Sequence, residues 1–447
     1  MISRRSVAEQ WTDIEDGELR ILIVGAGIAG VTLAQLLRTQ GRHPVLIERS
    51  ATPDRMIGHD AAGYMLALLP LIDPVIDELG IRDAYRERSV VIDDYAFHSH
   101  RGDMLSGGDI GSLLSEYGEY RGIARGDLIE VLTTAETPVA FGTTVTAIRE
   151  DEDVRVDLVT DCAEPAAWTF DLVVIADGLQ SHTRDLVDAG DVERFETGWG
   201  GWVVWADADD LPGTGTEVWG DGFFLGAYPV KDRLGIFLGG PEEVRAGGAT
   251  RFSQEVRGRL RSVSPRLDAS LRAVEDAADP YWWPLRDVRS SRWTRGATVL
   301  LGDAAAGFLP TAGVGAAMAM ESAWVLSETL RTADRTSLPD DLARFEATAR
   351  PRVEQAQGNS RSLAGLMFRS STLFAVLRSQ IVRRLSLRVA LRPIIGLLEH
   401  RLERPPSSSS TSRSLWCDRN GRGPQSGPTG TSKGQDDSGG HLGEEDP

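Results

Sequence analysis

A glycine-rich turn between an apolar strand and a helix constrains the fold of this chain more than any other feature. The apolar run Ile21-Leu22-Ile23-Val24 leads into Gly25-Ala26-Gly27-Ile28-Ala29-Gly30, and residues 28–40 show helical periodicity that ends at Gly41. Residues 43–48 then predict a second buried strand. Because two parallel strands need a crossover connection, the pattern predicts a Rossmann-like βαβ unit.

Each glycine of this turn has a separate physical role. Gly25 permits the tight turn, Gly27 allows the backbone to approach a pyrophosphate, and Gly30 allows the helix to pack closely on the strand. Glu48 ends the second strand, where an acidic side chain accepts hydrogen bonds from an unphosphorylated ribose. The turn, Glu48 and the adjacent Arg49 therefore predict a dinucleotide site, with FAD and NAD both open.

Composition narrows the classes of partner. The chain has 447 residues and a formal net charge of -18, which disfavours nucleic acid as a partner. Cys162 and Cys417 are its only cysteines, too few for a disulfide framework or a cysteine metal site, so we expect a reducing cytoplasm and no metal. No secretory signal is apparent, and no apolar stretch reaches the roughly 18 residues of a spanning helix.

Two later segments resemble the class A flavoprotein monooxygenases, the family of para-hydroxybenzoate hydroxylase. Residues 171–184, Asp-Leu-Val-Val-Ile-Ala-Asp-Gly-Leu-Gln-Ser-His-Thr-Arg, resemble the family's Asp-Gly motif around Asp177 and Gly178, near the FAD pyrophosphate and the path of the nicotinamide nucleotide. Leu301-Gly302-Asp303-Ala304-Ala305 resembles the Gly-Asp motif, in which the aspartate contacts the ribityl chain. The resemblance covers about residues 22–330 and implies FAD, with NADH or NADPH as a transient co-substrate.

Further cofactor contacts follow from the same resemblance. Residues 310–316 resemble the loop whose amides face the isoalloxazine ring, and exposed N–H groups opening a helix would stabilise the reduced flavin anion. Arg125 resembles an arginine that reaches the cofactor, and Val145 is also expected there. Ala306 and Val314 stand where relatives carry His and Gln, so side-chain roles of those residues are not expected here. The cofactor residues of the loop are Pro310, Gly313, Val314, Gly315 and Ala316.

The predicted fold class is mixed α/β, with a Rossmann-like FAD-binding domain interleaved with an antiparallel-sheet substrate domain. We expect the FAD-binding domain at 20–185, with a substrate-side insertion at about 63–120, and its return segment at 291–345. The antiparallel-sheet domain is expected at 186–290, C-terminal helices at 346–402, and a disordered tail at 403–447.

An aromatic-rich sheet would enclose a small hydrophobic or aromatic substrate. No acid or base can be assigned from the sequence: Tyr64, His98 and Tyr228 could polarise a hydroxyl, but a structural role is the better explanation for each. The expected lining residues are Tyr64, Trp202, Trp205, Trp219, Phe223, Phe224, Tyr228, Trp282 and Trp283.

Residues 360–402 form apolar helices rich in arginine, against the acidic trend of the chain. They could lie on an anionic membrane as a peripheral contact, or pack against the body and cover the pocket. The sequence leaves both interpretations open. It also leaves the oligomeric state open.

The resemblance implies a monooxygenase that hydroxylates or epoxidises a small aromatic or unsaturated compound with NAD(P)H and dioxygen. Reduced flavin would capture dioxygen as a C4a-hydroperoxide, which requires a dry pocket. A flavoprotein reductase or dehydrogenase without oxygen transfer remains an alternative. A non-catalytic binding protein that keeps the fold is another.

Overall fold

Two large β-sheets form the framework of the molecule. The structure is a computed structural model and describes residues 1–57, 64–151, 153–161, 163–384 and 386–402. The tail predicted to be disordered, both cysteines and the first residue of the predicted insertion lie outside the described residues. The residues up to Leu402 form one compact unit.

The described strands and helices cover most of this unit. The strands are β1 Ile2–Arg4, β2 Ile21–Val24, β3 Val45–Glu48, β4 Met65–Leu68, β5 Val90–Val91, β6 Asp94–His98, β7 Met104–Asp109, β8 Arg121–Ala124, β9 Thr137–Phe141, β10 Thr143–Glu150, β11 Val154–Thr160, β12 Ala163–Phe170, β13 Leu172–Ile175, β14 Val192–Asp207, β15 Thr214–Trp219, β16 Phe224–Val230, β17 Arg233–Pro241, β18 Tyr281–Ser290, β19 Thr294–Arg295, β20 Thr298–Leu300 and β21 Ala306–Gly307. The α-helices are α1 Val7–Trp11, α2 Ile28–Thr39, α3 Pro53–Ile57, α4 Asp73–Glu78, α5 Arg82–Arg88, α6 Ile110–Leu114, α7 Arg125–Leu132, α8 Ala249–Arg259, α9 Pro265–Asp276, α10 Gly315–Leu330, α11 Leu338–Met367, α12 Thr372–Arg384, α13 Leu387–Ala390 and α14 Arg392–Glu399.

The first large sheet has the order β1-β9-β3-β2-β13-β20-β19. Its central strands β3, β2, β13 and β20 are parallel, so their carboxyl ends meet at one edge. These strands are buried on both faces, which explains their continuous apolar sequences. This sheet confirms the predicted Rossmann-like βαβ unit.

The second large sheet has the order β21-β18-β14-β17-β16-β15-β6-β7. Most of its pairs are antiparallel, as predicted, but β15 pairs with β6 in parallel. Its outer face packs against α8 and α9, and its inner face packs against the end of α11. The two faces of the sheet thus belong to separate hydrophobic clusters.

The structure differs from the sequence prediction at two boundaries. β1 pairs with β9, so residues before position 20 also belong to the first sheet. The helix α11 runs without interruption across the expected 345/346 boundary. The division into FAD-binding and substrate domains stays a prediction.

Candidate functional site

The predicted dinucleotide turn lies at the carboxyl end of β2 and opens α2. Gly25 has a φ of 101°, which L side chains rarely adopt. A Cβ at Gly30 would lie 2.0 Å from the carbonyl oxygen of Gly25. A Cβ at Gly27 would meet no atom within 4 Å. The turn is thus closely packed at its first and last glycines, while Gly27 faces open space where a phosphate would reach the helix N-terminus.

Glu48 lies beside this turn and is already oriented by backbone groups. Its Oε2 accepts a hydrogen bond from the Ala26 amide at 3.0 Å, and its Oε1 accepts one from the Ser50 amide at 2.8 Å. The next residue, Arg49, is exposed. Val145 lies farther along the chain in β10, half-buried against the core.

The Asp-Gly segment follows β13 at the same edge of the sheet. Asp177 accepts a hydrogen bond from the Thr183 amide at 3.3 Å through Oδ2, while its buried Oδ1 has no partner among the described residues. A Cβ at Gly178 would again meet no atom within 4 Å. An unpartnered carboxylate oxygen beside open space is a fitting acceptor for a ligand donor.

Asp303 follows β20, so it lies at the same edge of the first sheet as Asp177. Asp303 is exposed in the protein without cofactor, yet desolvation by the protein groups around its carboxyl raises the pKa of Asp303 to about 6. The nearby Arg125 guanidinium opposes the increase. Arg125 also donates hydrogen bonds to the Met56 and Ile57 carbonyls at 3.0 and 3.3 Å. The carboxyl and guanidinium groups predicted from separate segments thus act on each other.

Tyr64 belongs to the same group. Burial raises the pKa of Tyr64, and the adjacent Arg125 guanidinium opposes this increase only in part. Its ring centroid lies 4.7 Å from that of Trp283, on the second sheet. Tyr64 therefore lies between the strand ends of the first sheet and the aromatic face of the second.

The loop at 310–316 connects a short 3-10 turn, Pro310–Ala312, to α10. Gly313 has a left-handed conformation with φ 62°, and Val314 is the buried N-cap residue. Thr311 donates a hydrogen bond through Oγ1 to the Ser360 carbonyl at 2.7 Å, which ties the loop to α11. The half-buried Gly315 and Ala316 open the helix. The amides of this first turn have no earlier helical carbonyl to bind.

The predicted aromatic lining is divided between the two faces of the second sheet, because neighbouring strand residues point to opposite sides. Trp202, Phe223 and Trp282 pack on the outer face beneath α8 and α9. The structure does not bring these three residues to the inner face, which packs against the end of α11. On that face, the aromatic cluster contains Tyr64, Trp199, Trp219, Phe224, Trp283 and Phe368.

Two other predicted residues lie at the ends of this sheet. The ring of Trp205 is covered by Arg233, whose Cζ lies 4.1 Å from a ring centroid. His98 is buried, and its Nδ1 lies 3.0 Å from the Gly102 carbonyl oxygen. A satisfied structural contact thus accounts for His98.

The model of the FAD binding domain family matches residues 18–360. The chain belongs to this family. It is 28% identical to 6-hydroxynicotinate 3-monooxygenase from Bordetella bronchiseptica, over 76% of this chain and 89% of that protein. It is 26% identical to FAD-dependent urate hydroxylase from Mycolicibacterium vanbaalenii, over 76% of this chain and 85% of that protein.

A solved structure supports the fold. HpxO from Klebsiella pneumoniae, complexed with FAD and uric acid, aligns with a TM-score of 0.72 and 21% identity, over 86% of this chain and 97% of that one. Together the comparisons confirm the predicted class A monooxygenase family, its fold class and its FAD cofactor. The flavoprotein is thus an oxidoreductase of the predicted family.

Some residues around the site carry no sequence signal that would have predicted their contacts. Arg184 was read only as part of the Asp-Gly motif, yet its buried guanidinium bonds to the Ala304 and Leu179 carbonyls at 2.9 and 3.3 Å. Tyr95, Tyr120 and Glu217 were not predicted at all. No sequence motif marks them: the register of β6 and β15 brings Tyr95 to Glu217, whereas Tyr120 precedes β8 of a separate three-stranded sheet.

A cleft of about 210 Å³ adjoins the Asp-Gly segment at residues 179–182. Its wall includes basic and acidic side chains of both sheets: His182, Arg184, Asp185, Arg194, Glu196, Arg286 and Asp287. In the parts of the chain that the structure describes, no three His, Cys, Asp or Glu side chains are grouped as a metal site requires. None of the described helices is long and apolar enough to span a membrane.

Proposed function

We propose that this flavoprotein uses NAD(P)H and dioxygen to hydroxylate or epoxidise a small aromatic or unsaturated hydrophobic compound. The observation that carries this proposal is the meeting of the aromatic inner face with the loop at 310–316. Leu309, which precedes the loop, packs in one cluster with Trp199 and Phe224. A compound held against this face would be adjacent to the isoalloxazine ring that the loop is proposed to bind.

The names of the relatives support a nitrogen-containing or hydroxylated aromatic substrate. They name 6-hydroxynicotinate and urate, both small rings that bear polar groups. The inner face of this chain offers aromatic rings together with tyrosine hydroxyls, which suits such compounds better than a purely aliphatic one.

We also propose which residues hold FAD, on the basis of their geometry in the structure. Residues 25–30 and Glu48 would bind the pyrophosphate and ribose, Asp177 and Gly178 would accept the cofactor's donors, and Asp303 with Arg125 would bind the ribityl region. The amides that open α10 would face the ring. The roles of Arg49 and Val145 in binding FAD stay predictions.

The chain's own contribution to the reaction is binding, orientation and exclusion of water. FAD supplies the redox chemistry with dioxygen when it is bound. The aromatic cluster supplies a dry wall, since Trp199 is 6% exposed and Phe224 is 3% exposed. We place the transient nicotinamide co-substrate at the cleft beside Gln180 and His182, where Arg194 and Arg286 could meet its phosphates.

Purified protein provides the test. We expect flavin absorbance bands, and NAD(P)H oxidation accelerated by substrate with matching dioxygen uptake. Undiminished hydride transfer to another acceptor without dioxygen would favour the reductase alternative. A colourless protein that still binds aromatic compounds would favour the non-catalytic alternative.

We propose in addition that α12 contacts an anionic membrane surface. Leu373, Val376, Leu377 and Ile381 have the spacing of one helix face, and all are exposed, from 42% to 86%. The opposite face, with Arg378 and Ser379, is buried. The apolar side of α12 therefore faces away from the protein, as it does in amphipathic helices that lie on a membrane surface.

The neighbouring charges support an anionic surface as the partner. Arg383, Arg384 and Arg388 are exposed beside this apolar face, although the whole chain has a net charge of -18. The residues before α12 instead pack against the protein. Phe368 stacks on Trp199 with a centroid distance of 5.1 Å. Residues before α12 therefore cover the aromatic face, as the second interpretation expected.

Vesicle sedimentation tests this contact. The protein should sediment with phosphatidylglycerol vesicles and not with phosphatidylcholine vesicles. The double substitution Leu373→Glu and Ile381→Glu should abolish binding, whereas Leu211→Glu, at another exposed leucine, should not. Absent vesicle binding, with an oligomer that the double substitution dissociates, would show that a second copy covers this face.

A further inference from the structure

A buried glutamine of the long helix α11 bonds to two strands of the second sheet. Gln357 is 0% exposed. Its Nε2 donates hydrogen bonds to the Val288 carbonyl at 2.8 Å and the Gly307 carbonyl at 2.5 Å, and its Oε1 accepts one from Arg289 Nε at 2.6 Å. Because a carbonyl only accepts and a guanidinium only donates, these partners permit a single orientation of the amide.

The two carbonyls belong to different parts of the proposed site. Val288 lies in β18 and lines the cleft beside the Asp-Gly segment. Gly307 ends β21, which pairs with β18, and two residues separate it from the loop at 310–316. Gln357 therefore bonds both to the wall of the cleft and to the chain that leads into the loop.

Gly307 is also packed closely against the Asp-Gly segment. A Cβ at this position would lie 2.1 Å from Cδ1 of Leu179, another residue of the cleft wall. Only glycine allows β21 to approach the segment so closely, since a larger residue would collide with Leu179. Gly307 is thus held by this packing and by the amide of Gln357.

A second contact ties α11 to the loop, one helical turn after Gln357. Thr311 donates a hydrogen bond through Oγ1 to the Ser360 carbonyl at 2.7 Å. Gln357 and Ser360 are three residues apart, so they lie on the same side of the helix. The Ser360 hydroxyl itself is buried and has no partner among the described residues. One side of α11 therefore holds the chain before the loop through a side chain and the loop itself through a backbone carbonyl.

We propose that Gln357 is a positioning residue that fixes the loop at 310–316, so that the N–H groups at the start of α10 face the isoalloxazine ring. This inference rests on the proposed function, in which the loop binds the flavin. A packed helix holds a site more precisely than a loop does, and α11 supplies that support here. N–H groups held in place stabilise the reduced flavin anion better than mobile ones. The contact therefore raises the reduction potential of the bound flavin.

Four variants separate these contacts from general stability. Gln357→Met has a side chain of similar length and removes both donors and the acceptor. Thr311→Val removes the hydroxyl that bonds to α11, whereas Thr311→Ser retains a hydroxyl. Ser360→Ala is the matched control on α11, since the described residues offer its buried hydroxyl no partner. Ser253→Ala, in α8, is the control for lost stability, because it removes a buried hydroxyl that bonds to the Leu271 carbonyl.

Hydrogen–deuterium exchange of the FAD-free protein measures the loop directly. We expect Gln357→Met and Thr311→Val to accelerate amide exchange in residues 306–316 about tenfold, because loss of either contact allows the loop to open more often. Thr311→Ser and Ser360→Ala should exchange like the wild type. Ser253→Ala should lower the melting temperature and leave exchange of this segment unchanged.

The bound flavin provides a second measurement. In Gln357→Met and Thr311→Val we expect FAD to bind about tenfold more weakly. The reduction potential of the bound flavin should be more negative than in the wild type, since the reduced anion loses its donors. A role confined to stability would lower the melting temperature of Gln357→Met without changing this potential.

The outcomes distinguish the inference from the function on which it rests. Wild-type exchange and potential in folded Gln357→Met would overturn the inference and leave the proposed function in place. An equal change of potential in Ser253→Ala would also overturn it, because lost stability would then explain the effect. If Gln357→Met does not fold, Gln357→Glu decides in its place, since it keeps the acceptor for Arg289 and removes the donors. If FAD does not slow exchange of residues 306–316 in the wild type, the proposed flavin site is wrong, and the inference with it.

Discussion

Arg184 donates a hydrogen bond from Nη1 to the carbonyl oxygen of Ala304 at 2.9 Å, and its side chain is almost fully buried. The contact joins the Asp-Gly segment after β13 to the Gly-Asp segment after β20. A second bond, from Nη2 to the Leu179 carbonyl, fixes the guanidinium in place. Burial lowers the pKa of Arg184, a sign of its desolvation.

Replacing this arginine should loosen both segments together. We expect Arg184→Met to lower the free energy of unfolding by about 2 kcal/mol, because two buried carbonyls lose their donor. FAD affinity should fall as well, since Asp177 and Asp303 lie on the two segments. Chemical denaturation and flavin titration measure these effects. Arg194→Met, at an exposed arginine of the same cleft, should change neither, and equal losses in both variants would contradict this role.

The turn offers a pair of glycines with opposite expected effects. Gly27→Val should leave the melting temperature of the FAD-free protein unchanged, because a Cβ there meets no atom within 4 Å, yet weaken FAD at least about tenfold by occupying the pyrophosphate position. Gly30→Ala should destabilise the FAD-free protein itself, since its Cβ would lie 2.0 Å from the Gly25 carbonyl oxygen. Full flavin retention by Gly27→Val would contradict the assignment of the turn.

Asp303 should make the stability of the FAD-free protein depend on pH. Its pKa in the folded state is about 6, above its ordinary value of 3.8, so the folded state binds the proton more tightly. The resulting stabilisation is complete below pH 3.8 and is lost as the pH rises through about 6. Urea unfolding at a series of pH values should show this decrease, and Asp303→Asn should remove it. The exposed Asp54→Asn should retain the wild-type pH dependence; if Asp303→Asn does too, the environment assigned to Asp303 is wrong.

A buried ion pair attaches α11 to the second sheet. The side chain of Asp287 is fully buried and accepts hydrogen bonds from Arg361 Nη2 at 2.7 Å and Nε at 2.9 Å. Asp287→Asn should lower the free energy of unfolding by about 3 kcal/mol, because it leaves the Arg361 charge poorly paired. Glu193→Gln removes the exposed partner of the same arginine and should cost less than about 1 kcal/mol. Denaturant unfolding compares the two variants, and similar costs would argue against the importance of the buried pair.

The local sequence was sufficient to predict the strand, turn and helices that we propose to surround the cofactor. The helix that the loop at 310–316 was expected to open runs from Gly315 to Leu330, and the strand, turn and helix around Gly25 are as predicted. Glycine positions, apolar runs and short motifs specify these elements, because the strained turn and the buried parallel strands each require particular residues at adjacent positions. That part of the site is encoded within single segments.

The substrate side depends on information that no single segment contains. Alternation shows that Trp202 and Val203 lie on opposite faces of a strand, but only the packing of α8 and α9 decides that the Trp202 face is covered. The sequence therefore predicts Trp202, Phe223 and Trp282 as pocket residues together with Trp219, although the structure places Trp219 on the other face.

By itself the sequence determined a dinucleotide turn, and by resemblance the FAD family and the chemistry that comes with it. The tertiary structure alone decided that α8 and α9 cover one face of the second sheet, that Arg184 links two distant motifs, and that Glu217 accepts hydrogen bonds from Tyr95, Trp219 and Tyr228. The physical reason is the range of the interactions. Backbone conformation at Gly25 to Gly30 depends on residues next to one another, whereas the surroundings of Glu217 depend on the register of strands far apart in the chain.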